Sequence, residues 1–249
     1  MSAPVFISRD AADAAVGSVL TLAGAEARHA VTVQRRAIGE RIDLVDGNGF
    51  RASCHIVSVH DDSLKALVKT VSTDNDPPVT LVQALAKGGR DEQAVENAVE
   101  LGVTEVIPWS AERSVVQWRG PKVDKAHARW QSLCVAAAKQ SRRALTPKVN
   151  SLLTTRELAP LVKEAVASGS RVLVLHEEAS TPLNALVWDN TTVPVWLIVG
   201  PEGGIAEGER EALAAAGGEQ VRLGPHVLRA SSAGPAAIAA LAATRGTWR

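Results

Sequence analysis

Trp196-Leu197-Ile198-Val199-Gly200-Pro201-Glu202-Gly203-Gly204-Ile205 is an apolar run that ends in a glycine-rich turn, and the fold of this 249-residue chain follows from it. The apolar residues predict a buried strand, and Gly200–Gly204 predicts a tight loop before a helix. One helix later a second unit of this kind follows, Val221-Arg222-Leu223-Gly224-Pro225-His226-Val227-Leu228-Arg229. Glycine turns after successive strands let the backbone close around a flat ligand, so this region predicts a cofactor site.

From residue 79 onward, strands alternate with helices. The predicted strands are Val79–Leu85, Val103–Pro108, Arg171–Glu177, Val193–Gly200 and Glu219–Leu223. The predicted helices are Asp91–Leu101, Lys122–Arg143, Glu157–Ser168, Glu207–Ala216 and Gly234–Thr244. Near-continuous apolar strands are typical of a parallel sheet covered by helices on both faces. The sequence therefore predicts an α/β domain with a mainly parallel sheet.

The N-terminal part has a different pattern, in which short β-rich runs are separated by turn signals. The runs are Arg41–Val45, Arg51–Val59 and Ser63–Val71, and Asp61-Asp62 fits a hairpin turn between the last two. The segment 74–78 is polar and contains two prolines, which cannot continue a sheet. We therefore expect a small β domain over residues 1–73, a linker over 74–78 and the α/β domain over 79–249.

Composition excludes several classes of protein. The net charge is zero, which argues against a general polyanion binder. Cys54 and Cys134 are the two cysteines, and no Cys/His ligand spacing occurs, so we expect neither a metal centre nor a disulfide framework. The sequence has no P-loop and no G-x-G-x-x-G fingerprint. No secretion signal or membrane-length apolar run is found, so we expect a cytoplasmic protein without a membrane partner.

Basic residues are concentrated in one part of the chain. Residues 113–148 hold nine basic residues and one acid, a local balance of +8, whereas residues 1–75 hold eight basic and nine acidic residues. A neutral protein with such a segment can bind nucleic acid there, and a solvated helix face is an equally good explanation for the charge run alone.

Three predicted strands end in loops that suit a ligand. These ends are Leu175-His176-Glu177-Glu178, Gly200-Pro201-Glu202-Gly203-Gly204 and Leu223-Gly224-Pro225-His226. Ligands of open α/β sheets bind beyond the carboxyl ends of strands. Each loop alone could be an ordinary strand-to-helix turn, but the three together favour a ligand site.

The sequence Gly-Pro-Glu-Gly-Gly after a strand, followed by Leu-Gly-x-x-Val-Leu-Arg before the last helix, resembles the SPOUT class of methyltransferases. More narrowly, the chain resembles the RsmE family, which methylates uridine N3 in small-subunit (16S) ribosomal RNA. The N-terminal segment His29–Arg35 with Asp46-Gly47-Asn48-Gly49 resembles the PUA-like domain of that family. Further matching segments are Lys87-Gly88-Gly89-Arg90, Ala98–Val103, Ile107-Pro108, Glu112–Val115, Arg129-Trp130 and Gln140-Ser141-Arg142-Arg143 with Pro147.

The resemblance implies a C-terminal SPOUT α/β domain with a trefoil knot, an N-terminal PUA-like β-barrel and a homodimer. It also implies that S-adenosylmethionine binds at the knot. The implied cofactor contacts are Leu175, His176, Glu177, Gly200, Pro201, Glu202, Gly203, Leu223, Gly224, Val227, Leu228, Arg229 and Ser231. The implied partner is 16S rRNA within the small ribosomal subunit, with RNA contacts expected at Arg28, Arg35, Arg36, Arg113, Arg129, Lys139, Gln140, Arg142 and Arg143.

Two residues are expected to act in catalysis. Methylation at N3 requires loss of the N3 proton, and a cation near the uracil oxygens stabilises the anion that forms. Arg229 is the candidate for that cation, and Glu202 is the candidate base, although Glu202 could equally be an acceptor for loop N–H groups. The chain departs from the family at Ala230-Ser231-Ser232, where a glutamate is usual. Either serine could bind the cofactor or cap the last helix.

Two other functions remain open from the sequence. One is a SPOUT methyltransferase that acts on another RNA, although the PUA-like domain weighs against most such families. The other is a non-catalytic RNA-binding or ribosome-assembly factor that retains the fold. Measurable cofactor affinity would distinguish the enzymes from the non-catalytic factor.

Overall fold

The computed structural model of the chain describes residues 3–248. Their contacts divide the chain into two compact units, residues up to 75 together with 138–146, and residues 76–137 together with 147 onward. The change at residue 76 lies inside the segment 74–78 that the sequence analysis assigned to a linker. Residues 138–146, by contrast, were expected in the C-terminal domain and cluster with the N-terminal unit.

The N-terminal unit is a five-stranded sheet. Its elements are β1 (Val5–Ile7), β2 (Val19–Ala23), α1 (Gly24–Arg28) with a π-helical turn at His29–Val33, β3 (Arg41–Val45), β4 (Phe50–His60) and β5 (Ser63–Thr73). The strand order is β1-β3-β4-β5-β2, with β1 parallel to β3 and the other pairs antiparallel. Strands β4 and β5 are joined at the predicted Asp61-Asp62 turn, and their alternating side chains bury Cys54, Ile56 and Leu64 completely or nearly so.

The segment 138–146 joins this unit through one network of polar contacts around Arg51. Arg51 binds Asp43 at 3.0 Å and Asp74 at 2.6 Å, and it donates to the carbonyl of Arg142 at 2.8 Å. Asp74 in turn accepts the backbone N–H of Ala144. These partners lie far apart in the sequence, which explains why the chain pattern did not place 138–146 with the β domain.

The C-terminal unit is a parallel sheet with helices on both faces. Its elements are β6 (Val79–Ala84), α2 (Arg90–Glu100), β7 (Glu105–Ser110), α3 (Lys122–Gln140, whose last three residues belong to the N-terminal unit), β8 (Lys148–Val149), β9 (Leu153–Thr154), α4 (Thr155–Ala167), β10 (Arg171–Leu175), β11 (Val195–Val199), α5 (Glu207–Ala215), β12 (Glu219–Val221) and α6 (Ala230–Thr244). The sheet order is β12-β10-β11-β6-β7-β8, and β9 also pairs with β7. Every pairing is parallel, as the apolar strands predicted.

Alternate side chains of the central strands face opposite helical layers. One face, which includes Val82 and Ile198, packs with α4 and α5 around a buried cluster that contains Leu158 and Leu213. On the other face α6 lies so close that a Cβ on Gly234 would come within 2.9 Å of the Leu81 side chain. The small residues of α6 therefore allow the last helix to pack directly on the sheet.

The predicted elements agree with the structure, and the differences lie at their ends. Strands β10, β11 and β12 stop two, one and two residues before the predicted ends, at Leu175, Val199 and Val221. Helix α6 begins at Ala230 rather than Gly234. The strands end early because the residues that follow them line a cavity and do not extend the sheet. Among the described residues, no helix is long and apolar enough to cross a membrane.

Candidate functional site

A cavity of about 340 Å³ opens at the carboxyl ends of β10, β11 and β12. Because β10 lies between β11 and β12 in the sheet, the loops that follow the three strands are neighbours. These are the three strand ends that the sequence analysis brought together. The start of α6 closes the cavity with Ala230 and Ala233.

The loop after β11 is shaped by close packing. A Cβ on Gly200 would lie 2.6 Å from the Ile205 side chain, so this position has no room for any other residue. Gly204 has a φ of +73° and donates its N–H to the carbonyl of Pro201 at 2.9 Å. The loop therefore folds back on itself, and Pro201 and Ile205 are buried at its base.

The loops after β10 and β12 are joined to each other by backbone hydrogen bonds. His176 donates its N–H to Val221, and Leu183 donates to Arg222. Arg222 returns a hydrogen bond to Thr181. The chain after β10 thus runs beside the end of β12, which fixes one wall of the cavity.

The structure brings together most of the residues expected to hold the cofactor. The expected residues that line the cavity are Leu175, His176, Glu177, Gly200, Pro201, Glu202, Leu223, Gly224, Val227, Leu228 and Arg229. Gly203 and Ser231 do not line it. Several lining residues were not among the expected cofactor contacts, which are Arg90, Val199, Gly204, Ile205, His226, Ala230 and Ala233.

Arg90 is the chemically distinctive residue among those missed. It is the first residue of α2, and its Nη1 lies 2.9 Å from Glu202 Oε1. The backbone N–H of Lys87 donates to the same oxygen at 3.2 Å. Glu202 therefore accepts a loop N–H, which is the structural role that the sequence analysis gave as the alternative to a base. It also forms an ion pair with Arg90. The segment Lys87–Arg90 carries part of the family resemblance, but nothing in its sequence indicates that α2 reaches the end of β11.

Arg229 lies where the last cavity loop meets α6. It is the N-cap residue of that helix, and its carbonyl accepts the N–H groups of Ser232 and Ala233. Its side chain is exposed and makes no hydrogen bond or ion pair within the described part of the chain. Ser231 and Ser232 lie within the first turn of the helix and not at its cap position, so the predicted capping role for either serine is wrong. Ser231 is buried, with 7% of its surface exposed.

Arg113 contacts the glycine-rich loop. Its Nη1 donates to the carbonyl of Gly203 at 3.0 Å, and its Cβ lies 3.2 Å from the position that a Cβ on Gly203 would take. The turn that carries Arg113 is itself held by a buried carboxylate, because Glu209 accepts the backbone N–H of Glu112 at 2.9 Å and the hydroxyl of Thr155. This arginine, predicted to bind RNA, thus supports the loop beside the cavity.

The other residues expected to bind RNA lie in both units. In the C-terminal unit, Arg129 forms an ion pair with Glu92 at 2.5 Å. In the N-terminal unit, Lys139 pairs with Glu26 at 2.6 Å, and Arg36 lies 3.8 Å from Glu40. The remaining members are exposed or partly exposed; they are Arg28, Arg35, Gln140, Arg142 and Arg143.

Comparisons with known proteins agree with this architecture. A family model for an RNA methyltransferase domain matches residues 73–242, and one for an RNA methyltransferase PUA domain matches residues 22–69. The chain is 42% identical over 234 residues to ribosomal RNA small subunit methyltransferase E of Mycobacterium bovis, covering 93% of this chain and 89% of that protein. It is 31% identical to the Bacillus subtilis protein of the same name, covering 89% of this chain and 88% of that protein.

A solved structure shows the same fold. The crystal structure of ribosomal RNA small subunit methyltransferase E from Neisseria gonorrhoeae, bound to S-adenosyl methionine, matches with a TM-score of 0.84 and 28% identity, covering 97% of this chain and 98% of that one. This match confirms the predicted SPOUT-type α/β domain with an N-terminal PUA-like domain. Together with the family models and the relatives, it shows that the chain belongs to the RsmE family of RNA methyltransferases.

Proposed function

We propose that this protein transfers a methyl group from S-adenosylmethionine to N3 of a uridine in small-subunit (16S) ribosomal RNA. The observation that carries the proposal is the cavity built from the ends of β10, β11 and β12 in a chain of the RsmE family. Relatives named ribosomal RNA small subunit methyltransferase E support the substrate, and the Neisseria gonorrhoeae structure with bound S-adenosyl methionine supports the cofactor.

The residues that line the cavity fit this cofactor. A volume of about 340 Å³ is in the range of small-molecule sites. Leu175, Val199 and Leu228 offer apolar surface for a flat adenine, and Gly200 and Gly224 bring backbone close to it. When bound, S-adenosylmethionine supplies an electrophilic methyl group on a positively charged sulfur.

The chain itself has to orient the uridine and stabilise the charge that develops on it. Arg229 is exposed at the cavity and makes no ion pair within the described residues, so its guanidinium is available to the oxygens of a uracil ring. Such a preformed cation lowers the energy of the anion formed when N3 loses its proton. Most of the remaining rate enhancement would come from holding the reacting atoms in line.

The RNA surface is proposed from basic side chains and one exposed amide, of which Arg129 and Lys139 are ion-paired and are expected to contribute less. In the N-terminal unit we assign RNA contacts to Arg28, Arg35, Arg36, Lys139, Gln140, Arg142 and Arg143, and in the C-terminal unit to Arg113 and Arg129. Phosphate contacts of this kind position an RNA without reading its sequence. The target base would then be turned out of its stack into the cavity.

We further propose that the protein is a homodimer that acts on the small ribosomal subunit in the cytoplasm. The support for the dimer and for the small subunit is the family resemblance. Light scattering of the purified protein tests the dimer directly, since a monomer mass at micromolar concentration would contradict it.

The function is tested by methyl transfer from labelled S-adenosylmethionine to small subunits that lack the modification. Naked small-subunit RNA and transfer RNA serve as parallel substrates, and the digested nucleosides are identified by mass. N3-methyluridine in the small-subunit samples supports the proposal. Methylation of transfer RNA alone, or cofactor binding without any methylation, would overturn the assigned substrate, and absence of cofactor binding would favour a non-catalytic factor.

The role of Arg229 is tested in the same assay. Arg229→Met should lower kcat by about 10²-fold or more, the usual effect of removing one donor to a developing anion. Arg222→Met is the matched control, because Arg222 is exposed at the end of β12 but does not line the cavity. Full turnover by Arg229→Met with normal cofactor affinity would remove this arginine from the scheme.

A further inference from the structure

We propose that Arg90 is a further substrate-binding residue and that Arg90, Glu202 and Arg229 together recognise the N3 edge of the target uracil. The inference rests on the proposed function, since it concerns the base that enters the same cavity. Arg90 and Arg229 are the two arginines that line the cavity, and Glu202 is bound to one of them.

The backbone around Arg90 fixes the direction of its side chain. Gly89 precedes it with a φ of +71°, a conformation that favours glycine, and α2 starts immediately afterwards. Asp91, which is buried, accepts the N–H groups of Ala86 and Glu92 and so holds the turn before the helix. The guanidinium of Arg90 therefore points at the end of β11 from a rigid helix start, where it reaches Glu202.

The contact between Arg90 and Glu202 leaves both groups with unused hydrogen-bonding capacity. Arg90 Nη1 and the N–H of Lys87 both bind Oε1 of Glu202. Within the described residues, Oε2 of Glu202 accepts no hydrogen bond, and Nη2 and Nε of Arg90 donate none. A guanidinium has five N–H donors and a carboxylate can accept about four bonds. The cavity wall thus presents an unused donor beside an unused acceptor.

The three groups are complementary to the edge of uracil. Uracil presents a carbonyl oxygen, the N3–H donor and a second carbonyl oxygen in a row. Arginine, glutamate and arginine offer donor, acceptor and donor, so Arg90 and Arg229 would bind the two oxygens while Glu202 accepts the N3–H. Cytosine carries an acceptor at N3 and an amino donor at C4, which would place a lone pair against the carboxylate and a donor against an arginine. A site built to hydrogen-bond one edge discriminates against a base that leaves its donors and acceptors unpaired.

The same three groups account for removal of the N3 proton of the uracil. In the proposed sequence the N3–H bond breaks first and its proton passes to Oε2 of Glu202, which leaves the electron pair on N3. Once the carboxyl group has moved off that edge, the N3 electron pair forms the new bond to the methyl carbon. The bond between that carbon and sulfur breaks with its electron pair left on sulfur, which becomes a neutral thioether. Arg90 and Arg229 stabilise the negative charge on the uracil oxygens as the proton leaves.

Kinetic comparison of variants can distinguish a direct contact of Arg90 with the base from an indirect role, in which Arg90 only positions Glu202. We would compare Arg90→Met, Glu202→Gln and the double variant in single-turnover methyl transfer at saturating S-adenosylmethionine. Arg90→Met should lower the rate about 10²-fold with the cofactor Kd unchanged within about threefold. In the Glu202→Gln background it should still lower the rate at least tenfold, because the contact to the base does not depend on the carboxylate.

The pH dependence gives a second readout. Loss of a cation beside the uracil makes the N3 proton harder to remove, so the rate of Arg90→Met should continue to rise at alkaline pH where the wild-type rate has levelled. The charged and titratable groups that line the cavity are Arg90, His176, Glu177, Glu202, His226 and Arg229. Both histidines are present in all the variants, so the difference between profiles reports on Arg90.

Controls separate folding from chemistry. Arg156→Met removes an exposed arginine at the start of another helix of the same unit and should leave rate and Kd unchanged. Arg90→Lys keeps a cation and should recover part of the rate if the protein is folded. Three outcomes would overturn the inference: an unchanged rate in Arg90→Met, no further effect of Arg90→Met in the Glu202→Gln background, or identical pH profiles. If the wild-type protein forms no N3-methyluridine, the proposed function fails before these variants are compared.

Discussion

Replacement of Gly200 by alanine adds a single methyl group and should distort the cavity. The added Cβ would lie 2.6 Å from Cγ1 of Ile205 and 3.3 Å from its backbone nitrogen. Ordinary carbon contacts begin near 3.5 Å, so Ile205 would have to move by about 1 Å. Ile205 is 4% exposed and packs in the core between the sheet, α4 and α5, which leaves it no space to turn away.

The cost follows from this geometry. Overpacking of a filled core site destabilises by about 1–3 kcal/mol. A loss of about 2 kcal/mol lowers Tm by roughly 4–8 °C in a domain of about 150–250 residues. Because movement of Ile205 also displaces the loop that lines the cavity, the Kd for S-adenosylmethionine should rise at least tenfold, about 1.4 kcal/mol.

Tryptophan fluorescence is a suitable assay for the melt. All six tryptophans belong to the C-terminal unit, and the chain has no tyrosine, so the signal reports on the unit that holds the cavity. Gly208→Ala is the control, since Gly208 lies in α5 with no atom within 4 Å of the added Cβ; it should leave Tm equal or slightly raised. Gly224→Ala, also in open space, should leave Tm unchanged. If Gly200→Ala matched Gly208→Ala in both Tm and cofactor Kd, the steric reasoning would be refuted.

Three further predictions concern buried charged or titratable groups. Glu209→Ala removes the acceptor of three hydrogen bonds and should destabilise the C-terminal unit by about 2–4 kcal/mol in the fluorescence melt, whereas the exposed Glu207→Ala should cost under about 1 kcal/mol. For Asp74, partial burial favours the neutral acid, but the hydrogen bond and charge of Arg51 and the N–H of Ala144 lower its pKa below the ordinary range. Its stabilising effect is therefore full above that ordinary range and is lost as the pH falls through the lowered pKa. Unfolding followed by circular dichroism should show a smaller loss of stability on acidification in Asp74→Asn than in the wild type, and parallel curves would contradict this. Burial and the nearby charge of Asp43 raise the pKa of the Cys54 thiol to about 11, so in a Cys134→Ser background iodoacetamide at pH 8 should label Cys54 only as fast as the N-terminal unit opens; rapid labelling of the folded protein would show that the thiol is accessible.

The sequence predicted β3, β4 and β5 of the N-terminal unit, and β6, β7, β10, β11 and β12 with the five helices of the C-terminal unit, because their signals are local. The short elements β1, β2, α1, β8 and β9 were not predicted. The apolar run before Gly200 and the turn at Asp61-Asp62 each reflect constraints that act within a few residues. The neighbouring loops of the cavity could also be predicted, since parallel strands place their carboxyl ends at one edge. Two features were not predictable from the chain pattern, the position of Arg90 in the cavity wall and the packing of 138–146 with the β domain. Both depend on pairs of residues far apart in the sequence, Arg90 with Glu202 and Arg51 with Asp74.

The basic segment shows the same limit for charge. Along the chain, residues 113–148 have a balance of +8, which suggests a continuous surface for RNA. In the folded units this charge is partly matched by acids from other segments: Arg129 is paired with Glu92, and Lys139 with Glu26. The two opposite charges of an ion pair lie well within one Debye length of each other. A phosphate several ångströms away therefore experiences the potentials of both charges, which largely cancel. The attraction that such a residue exerts on RNA is therefore weaker than its place in a basic run implies. Arg119 belongs to the same run, is exposed and has no acidic partner among the described residues. It was not among the expected RNA contacts. Counting charges along the sequence locates a basic segment, but the tertiary partners of each side chain determine which of its members can bind a phosphate.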